Sequence, residues 1–296
     1  MALRDRAYTV LITDVDNTLF DWFHVWHATF RAMLDQIIAI SGFSEAELLP
    51  EIRKIHQQHG TSEYAFLIEA MPSLRRRFPH DNLLEVFKPA IEAFRFVRRR
   101  ELKLYDGVAD TLRKLKEQGV LIVAYTESQS FYTSYRFRKL NLDGLVDYLY
   151  SPPDHDFPEG QSLLSIRSKP ASEYSLSHTV HRNTPKDELK PNPELLLDII
   201  ETLGARKQDV LYVGDSRVKD VAMAQDAGVS DVLAEYGSSH LKEEYQLLVN
   251  VTHWTDEDVQ REKLIGDREV SPTHTLKNSY SELLQLFQFE EFRMNK

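Results

Sequence analysis

Tyr8–Phe20 has the sequence YTVLITDVDNTLF and carries the strongest structural signal in the chain. Val10–Thr13 is apolar and rich in β-branched residues, which predicts a buried strand. Asp14 and Asp16 follow directly, and ligands of open parallel sheets bind beyond the carboxyl ends of the strands. Two neighbouring carboxylates need a cation, a base or a shared proton nearby. The stretch therefore indicates a chemically active strand end or, as the alternative, a polar turn that caps the next helix.

The composition is that of an ordinary globular protein, with 296 residues, 42% of them apolar, and a net charge of −10. The acidic balance argues against non-specific nucleic-acid binding, because such binding depends on Lys and Arg neutralising phosphates. The absence of cysteine excludes disulfides, thiolate metal sites and a cysteine nucleophile. We find neither a secretory signal nor an apolar run of the roughly 20 residues that a membrane span requires. We therefore expect a soluble, cytoplasmic protein without nucleic-acid or membrane partners.

Helical periodicity dominates residues 21–103, which show no strand pattern. We predict that this block is an all-helical cap, inserted after the first strand where it can close over the site as a lid. From residue 104 onward strands and helices alternate, which predicts a parallel sheet between two layers of helices. The predicted fold is thus a Rossmann-like, three-layer α/β core of residues 1–20 and 104–296 with an inserted helical cap. The predicted strands are 10–13, 120–125, 145–150, 209–213 and 229–234.

Residues 151–185 interrupt this alternation, because they are rich in Ser, Pro, His and charged side chains. We predict a long loop insertion there, with a β-hairpin as the alternative. Its histidines lack the tight spacing of metal ligands, so we expect them to be solvated. Its basic residues could meet an anionic substrate, although solvated surface charges are the simpler interpretation. The residues concerned are His155, His178 and His181, together with Arg167, Lys169 and Arg182.

Polar side chains follow other predicted strands as well. Thr126 comes directly after VLIVAY, and Asp215 comes after DVLYVG. Because the carboxyl ends of parallel strands share one edge of the sheet, we expect these side chains to lie near Asp14 and Asp16. Lys190 lies in ELKPNPELLLDII, where the prolines stiffen the approach to a helix that starts at the second proline. An exposed loop lysine is the alternative for Lys190.

Four short motifs stand at these positions: DVDNT at 14–18, a strand that ends in Thr126, KPNPE from Lys190, and GDSRVKD at 214–220. In this order they resemble the motifs of the haloacid dehalogenase (HAD) superfamily of phosphohydrolases, in the branch with a helical cap. The sequence around 192–229 is similar to that of phosphoglycolate phosphatase-like members. Asn17 stands where a glycine is often found. The resemblance covers roughly residues 8 to 237 and implies the α/β fold predicted above.

The resemblance implies a catalytic role for four residues. Asp14 would be the nucleophile that attacks phosphorus and forms an aspartyl-phosphate. Asp16 would be the general acid for the leaving alcohol and then the base for water. Thr126 would donate a hydrogen bond to a phosphoryl oxygen, and Lys190 would offset the negative charge of phosphate and nucleophile.

The resemblance also implies Mg²⁺ as the cofactor. The ion would be bound by the side chains of Asp14 and Asp215 and by the main-chain carbonyl of Asp16. Asp220 would support the metal ligands or bind the ion through water. Dehalogenase members lack the second aspartate of the first motif, so the presence of Asp16 favours phosphoryl transfer.

We expect a Mg²⁺-dependent phosphatase whose partner is a small phosphorylated metabolite. The cap, residues 21–103, would select the substrate, but the sequence identifies no substrate ligand within it. Phosphoglycolate, nucleoside monophosphates and sugar phosphates are all compatible with the motifs, and the sequence does not determine the oligomeric state. Two alternatives stay open at this point: a phosphomutase of the sugar-phosphate type, or a catalytically idle phosphate-binding module on the same fold.

Overall fold

A central strand, Val10–Thr13, is buried along its whole length and pairs in parallel with a strand on each side. The computed structural model describes residues 6–154, 157–162, 165, 170–186, 188–238, 244–255 and 270–294. The strands are Ala7–Tyr8 (β1), Val10–Thr13 (β2), Leu121–Tyr125 (β3), Tyr148–Ser151 (β4), Val180–Asn183 (β5), Val210–Gly214 (β6), Ser230–Ala234 (β7), His274–Leu276 (β8) and Gln288–Phe289 (β9). A seven-stranded parallel sheet has the order β5-β4-β3-β2-β6-β7-β8, and β1 pairs separately with β9.

Helices alternate with the strands of this sheet, and six of them lie in residues 22–101, between β2 and β3. The helices are Trp22–Ser41 (α1), Glu45–His59 (α2), Leu67–Ala70 (α3), Pro72–Arg77 (α4), Leu83–Val86 (α5), Lys88–Glu101 (α6), Val108–Glu117 (α7), Ser130–Lys139 (α8), Pro193–Thr202 (α9), Ala222–Ala227 (α10), Tyr245–Val251 (α11) and Leu283–Leu286 (α12). A π-helical turn, Arg217–Val221, leads directly into α10.

Both faces of the sheet are covered, because successive residues of a strand point to opposite sides. Leu11 of β2 lies in an apolar cluster with side chains of α7 and α8. Val10 and Ile12, its neighbours in β2, lie in a second cluster with side chains of α9 and α10. The result is the three-layer α/β arrangement predicted from the sequence, with the carboxyl ends of the strands along one edge.

The segment 22–101 contains helices and no strand. Its first helix begins after Asp21, whose side chain accepts a hydrogen bond from the His24 N–H at 2.8 Å. That helix ends at Gly42, where φ is 75° and a side chain would be disfavoured. α1 packs mainly against α6. Their apolar faces belong to a third cluster, separate from the two on the sheet. The division of the chain into a core and a cap stays a prediction.

Residues 151–185 contain a strand that the sequence did not predict. Val180–Asn183 (β5) forms the edge of the sheet and pairs in parallel with β4. This strand is therefore not part of a hairpin, and the predicted loop includes a strand. An edge strand with exposed and polar side chains carries no buried-strand pattern, which explains the error. β8 forms the opposite edge of the sheet, has one fully buried residue, Leu276, and was not predicted either.

The charged and histidine residues of this segment have different surroundings. His178 is exposed, as expected. His181 is half-buried, and its Nε2 lies 2.7 Å from Ser151 Oγ, so the expectation of a solvated side chain is wrong for it. Arg182 stacks over the ring of Tyr148 at 4.9 Å. The remaining residues of that set, His155, Arg167 and Lys169, lie outside the described residues.

Within the described residues, no helix has both the length and the apolar character needed to cross a membrane.

Candidate active site

The carboxyl end of β2 places Asp14 in a buried polar cluster. Asp14 is 7% exposed, and its backbone N–H donates to the Val213 carbonyl of β6 at 2.8 Å. Its side chain accepts hydrogen bonds from Thr18 Oγ1 at 3.0 Å and from Lys190 Nζ at 2.7 Å. Burial raises the pKa of Asp14 to about 7, although the Lys190 ammonium opposes the rise. Such a perturbed carboxyl group is typical of a functional site.

Lys190 reaches this cluster from the segment that precedes α9, and it is 4% exposed. Its Nζ lies 2.7 Å from Asp14 Oδ1, 3.0 Å from Asp220 Oδ1 and 4.7 Å from the centre of the Tyr125 ring. Burial by itself lowers the pKa of Lys190, but the two aspartates raise it well above its usual value. Lys190 is therefore a buried ammonium ion, and the alternative of an exposed loop lysine is wrong.

Three carboxylates form an acidic group beside the ends of β2 and β6. Asp14, Asp215 and Asp220 each offer an oxygen within 4.8 Å of the other two. Burial raises the pKa of Asp215 well above its usual value, and repulsion from Asp14 and Asp220 adds to the rise. A divalent cation among these oxygens would relieve the repulsion, because hard cations bind carboxylate oxygens. The residues present therefore fit a divalent metal ion.

Protein donors contact both oxygens of Asp220. Its Oδ1 accepts from Lys190 Nζ and, at 2.8 Å, from Tyr212 OH, while its Oδ2 accepts from the Ser216 N–H at 3.0 Å. A Cβ at Gly214 would lie 2.2 Å from Asp220 Cγ, so glycine is needed to leave room for this carboxylate. Asp220 therefore positions Lys190 and the turn that follows Asp215.

Asp16 has a separate set of partners. Its Oδ2 accepts a hydrogen bond from Thr126 Oγ1 at 2.8 Å, which joins the ends of β2 and β3. Its Oδ1 lies 3.4 Å from Arg136 Nη1. Burial raises the pKa of Asp16 despite the nearby Arg136 guanidinium. Asp14 and Asp16 thus occupy different environments, as expected when two carboxyl groups perform different tasks.

Asn17 fits a tight turn between β2 and α1, which accounts for its place in the first motif. Its φ is 59°, in the left-handed region that glycine and asparagine adopt most readily. Its Oδ1 accepts a hydrogen bond from the Phe23 N–H at 3.0 Å. A Cβ at Gly237 would lie only 1.8 Å from the Asn17 carbonyl oxygen, so the two backbones are in close contact.

A cleft of about 1240 Å³ opens onto these residues. Asp14, Asp16, Lys190 and Asp215 line it from the strand ends, whereas the buried Thr126 does not. Other parts of the cleft are lined by residues 57–63, at the end of α2 and in the loop after it, and by residues 252–255. The volume is sufficient for a small metabolite, since ligand pockets commonly measure roughly 300–1,000 Å³.

Residues 8–228 match the profile of the haloacid dehalogenase-like hydrolase family. The chain belongs to this family. A glyceraldehyde 3-phosphate phosphatase from Methanopyrus kandleri is 23% identical to this hydrolase over 234 residues, which cover 77% of this chain and 84% of the relative. Phosphoglycolate phosphatase 1 from Pseudomonas aeruginosa is 27% identical over 239 residues, which cover 79% and 72%. The predictions of a hydrolase of this superfamily, with phosphatases among its relatives, are confirmed.

Solved structures with the same fold are also similar to this hydrolase. The magnesium-bound HAD hydrolase YfnB from Bacillus subtilis has a TM-score of 0.50 at 13% identity, covering 95% of this chain and 99% of that chain. A 2-haloacid dehalogenase from Pseudomonas syringae has a TM-score of 0.52 at 17% identity, covering 94% and 97%. At these identities the likeness concerns the fold, and the predicted α/β fold class is confirmed.

Arg136 is a residue of this hydrolase's site that the sequence analysis missed. It is 5% exposed on α8, and its Nη1 donates to Ser128 Oγ at 3.0 Å. Its Nη2 donates to Glu63 Oε1 at 2.5 Å, and Glu63 Oε2 accepts from Trp22 Nε1 at 3.3 Å. Arg136 thus connects Asp16 to the loop after α2. The one signal in the sequence was an arginine among the apolar positions of FYTSYRFRK.

Glu127 is a second residue that was missed. It accepts hydrogen bonds from the Lys190 backbone N–H and from Lys219 Nζ, both at 2.8 Å. Burial raises the pKa of Glu127, but the ammonium groups of Lys219 and Lys190 lower it by more. The glutamate is therefore a half-buried anion that holds the backbone of Lys190 in place. Its position directly after Thr126 was the available signal.

Proposed function

We propose that this protein is a Mg²⁺-dependent phosphatase that hydrolyses a small phosphate monoester through an aspartyl-phosphate intermediate. The proposal rests on the different environments of Asp14 and Asp16 at the end of β2. Asp14 is held against Lys190 within the acidic group, while Asp16 is held apart by Thr126. The relatives named for glyceraldehyde 3-phosphate and phosphoglycolate support a small phosphorylated metabolite as the substrate.

In the first half of the reaction, an Asp14 carboxylate oxygen attacks phosphorus and the bond from phosphorus to the leaving oxygen breaks. Asp16 donates its proton to that oxygen, so the leaving group departs as an alcohol. The raised pKa of Asp16 supports the protonated state that this step needs. The Lys190 ammonium offsets negative charge on the phosphoryl oxygens.

In the second half, Asp16 takes a proton from a water molecule whose oxygen attacks the phosphorus. The bond between phosphorus and Asp14 breaks, so inorganic phosphate leaves and both carboxyl groups return to their starting states. Thr126 orients the Asp16 carboxyl through its hydrogen bond. Its implied role as a donor to a phosphoryl oxygen requires the hydroxyl to exchange that partner when substrate binds.

Mg²⁺ would be held by the side chains of Asp14 and Asp215 and by the main-chain carbonyl of Asp16. Asp220, whose oxygens already accept protein hydrogen bonds, would support these ligands from behind. When bound, the ion supplies charge neutralisation to the phosphoryl group. The proximity of the three carboxylates and the raised pKa values of Asp14 and Asp215 support this assignment.

Residues 21–103 act in this proposal as a cap that excludes water and contacts the leaving group. Residues 57–63 line the cleft, and Glu63 pairs with Arg136 beside the general acid. These contacts support a cap that lies over the catalytic residues. The cytoplasmic location stays a prediction.

Phosphate release from a panel of monoesters tests the proposal. The panel includes phosphoglycolate, a triose phosphate, nucleoside monophosphates, sugar phosphates and an aryl phosphate. We expect release that EDTA abolishes and added Mg²⁺ restores. Asp14→Asn should be inactive, whereas Asp198→Asn, which changes an exposed aspartate of α9, should remain active.

Four outcomes would contradict the proposal. Activity retained in Asp14→Asn, or unaffected by EDTA, would remove the proposed nucleophile or the metal. Phosphoryl migration on a sugar phosphate without release would identify a phosphomutase. Binding of phosphate without turnover of any panel member would identify a binding module.

A further inference from the structure

The segment 244–255 lies between two strands of the central sheet in sequence but contacts the helical block. It follows β7 and precedes β8, yet α11 packs against α2. We call residues 244–255 the clasp. Strands β7 and β8 are neighbours in the sheet, so their connection does not itself require a path to α2.

The apolar face of the clasp is buried among residues of the helical block. Leu248 is 6% exposed, Val251 is fully buried, and both belong to the cluster formed by α1 and α2. The ring of Tyr245 lies 5.7 Å from that of Phe23 on α1. Val249, on the opposite side of the same helix, is 41% exposed. α11 is therefore amphipathic, and its apolar face is matched to the helical block.

Hydrogen bonds fix the clasp along the end of α2. His56 Nδ1 lies 2.7 Å from the Val251 carbonyl oxygen. Burial lowers the pKa of His56 to about 4, so the ring is neutral near pH 7, and Nδ1 carries the proton that the carbonyl accepts. One residue further along α2, Gln57 Nε2 donates to the Trp254 carbonyl oxygen at 3.1 Å. Two successive residues of α2 thus hold the backbone of the clasp.

A second pair of hydrogen bonds joins the clasp to the loop after α2. The His253 N–H donates to Ser62 Oγ at 3.2 Å, and Ser62 Oγ lies 2.9 Å from His253 Nδ1. Ser62 directly precedes Glu63, the partner of Arg136. The clasp therefore contacts the same loop that reaches the environment of the general acid.

On its other side the clasp contacts the catalytic end of the sheet. Lys219 Nζ lies 5.0 Å above the ring of Trp254 and donates to Glu127. Glu127 in turn accepts the hydrogen bond from the backbone of Lys190. Trp254 thus touches the network that positions a catalytic residue, while its carbonyl is held by α2.

The clasp also lines the cleft. Residues 252–255, with Tyr245 and Leu248, form part of its surface. A wall that is attached to both the helical block and the core limits the space for the leaving group. It also opposes any movement that would separate the two.

We propose that the clasp holds the helical block over the catalytic residues and sets the upper size of the leaving group. It is a specificity-determining wall of the cleft, with Trp254 as its principal contact to the core. The inference rests on the proposed phosphatase for its specificity part. Its structural part, attachment of the helical block, is independent of any activity.

Amide hydrogen exchange in α2 tests the attachment. Leu248→Ala with Val251→Ala removes the buried face of α11, and Val249→Ala changes the same helix on its exposed side. We expect exchange in α2 to become at least roughly tenfold faster in the double variant and to stay unchanged in the control, because the lost contacts stabilise α2 locally. Equal exchange in both variants would overturn the attachment.

A milder variant covers the case in which the double variant does not fold, as circular dichroism would reveal. His253→Ala removes the hydrogen bond between the imidazole and Ser62 but keeps the backbone N–H donor and the apolar face, and His178→Ala is its control at an exposed histidine. We expect severalfold faster exchange in α2 and the loop 60–63 for His253→Ala alone. No difference between the two histidine variants would overturn the attachment.

The specificity part is tested by Trp254→Ala. The ratio of kcat/KM for 1-naphthyl phosphate to kcat/KM for the best small monoester should rise about tenfold, because the wall is shortened. Val249→Ala should leave the ratio unchanged. A ratio that stays constant in Trp254→Ala would overturn the role of the clasp in selecting size. If the unaltered protein hydrolyses no monoester, the proposed function fails, while the exchange experiment still decides the attachment.

Discussion

Lys190 Nζ and Asp14 Oδ1 lie 2.7 Å apart and are both buried, although 176 residues separate them in sequence. The same ammonium lies 3.0 Å from Asp220 Oδ1. Burying a cation costs free energy because the ion loses its hydration. Removing it from between two carboxylates also costs free energy, because their buried negative charges are then left without a partner. This relationship determines how the site should respond to substitution.

Lys190→Met should lose both activity and stability. The variant retains the length of the side chain but leaves the neighbouring carboxylates without this ammonium, so we expect the free energy of unfolding to fall by about 3–5 kcal/mol. Activity should fall roughly 10²–10³-fold, as for loss of one electrostatic contact to the transition state. Chemical denaturation and steady-state kinetics provide the two measurements. Lys277→Met, at an exposed lysine, is the control; if it behaved like Lys190→Met, the assignment would be wrong.

The pH dependence of stability should reveal Asp14. Its pKa is raised from 3.8 to about 7, mainly by burial, so the unfolded chain releases this proton more readily than the folded one. In EDTA, the contribution of Asp14 to stability should therefore be lost progressively as the pH rises from about 4 to about 7. Asp14→Asn cannot titrate and should lack this component, whereas Asp198→Asn should retain it. Denaturation at several pH values measures the difference, and parallel curves for unaltered protein and Asp14→Asn would contradict the prediction.

Asp16→Asn should show a dependence on the leaving group. An amide cannot donate the proton that an alkoxide needs, so hydrolysis of alkyl phosphates should fall by roughly 10²–10⁴-fold. For a nitrophenyl phosphate, the rate of the first half-reaction should fall much less, because nitrophenolate departs without protonation. Pre-steady-state release of nitrophenolate isolates that step from the later attack of water. Equal losses in this step for both substrate types would exclude Asp16 as the general acid.

The ion pair between Arg136 and Glu63 should show strong coupling. Arg136→Met leaves Glu63 and Asp16 without their guanidinium partner, and we expect a loss of about 3–5 kcal/mol in the free energy of unfolding. Combining it with Glu63→Met should restore part of that loss, since the two changes remove both members of the pair. Lys139→Met, an exposed position on the same helix, is the control. Strict additivity of Arg136→Met and Glu63→Met would show that the pair is not coupled.

Local patterns in the sequence determined the main strands and the positions of the motif residues. Leu11 and its neighbours in β2 are buried on both sides of the sheet, so the strand was visible as an apolar run. Asp14, Asp16, Thr126 and Asp215 follow strand ends, and parallel strands bring such ends to one edge. The family resemblance added roles for them and for Lys190.

The tertiary structure decided which side chains meet across these elements. The pairing of Arg136 with Glu63 joins α8 to the loop after α2, across 73 residues of sequence, and has no local signature. β5 became a strand by pairing at the edge of the sheet, where exposed positions do not alternate with buried ones. Val251 belongs to the cluster of α1 and α2 because the clasp packs against these helices. Short-range periodicity in the sequence does not predict this contact. Periodicity in sequence reports burial along one element, whereas these contacts depend on long-range packing between elements.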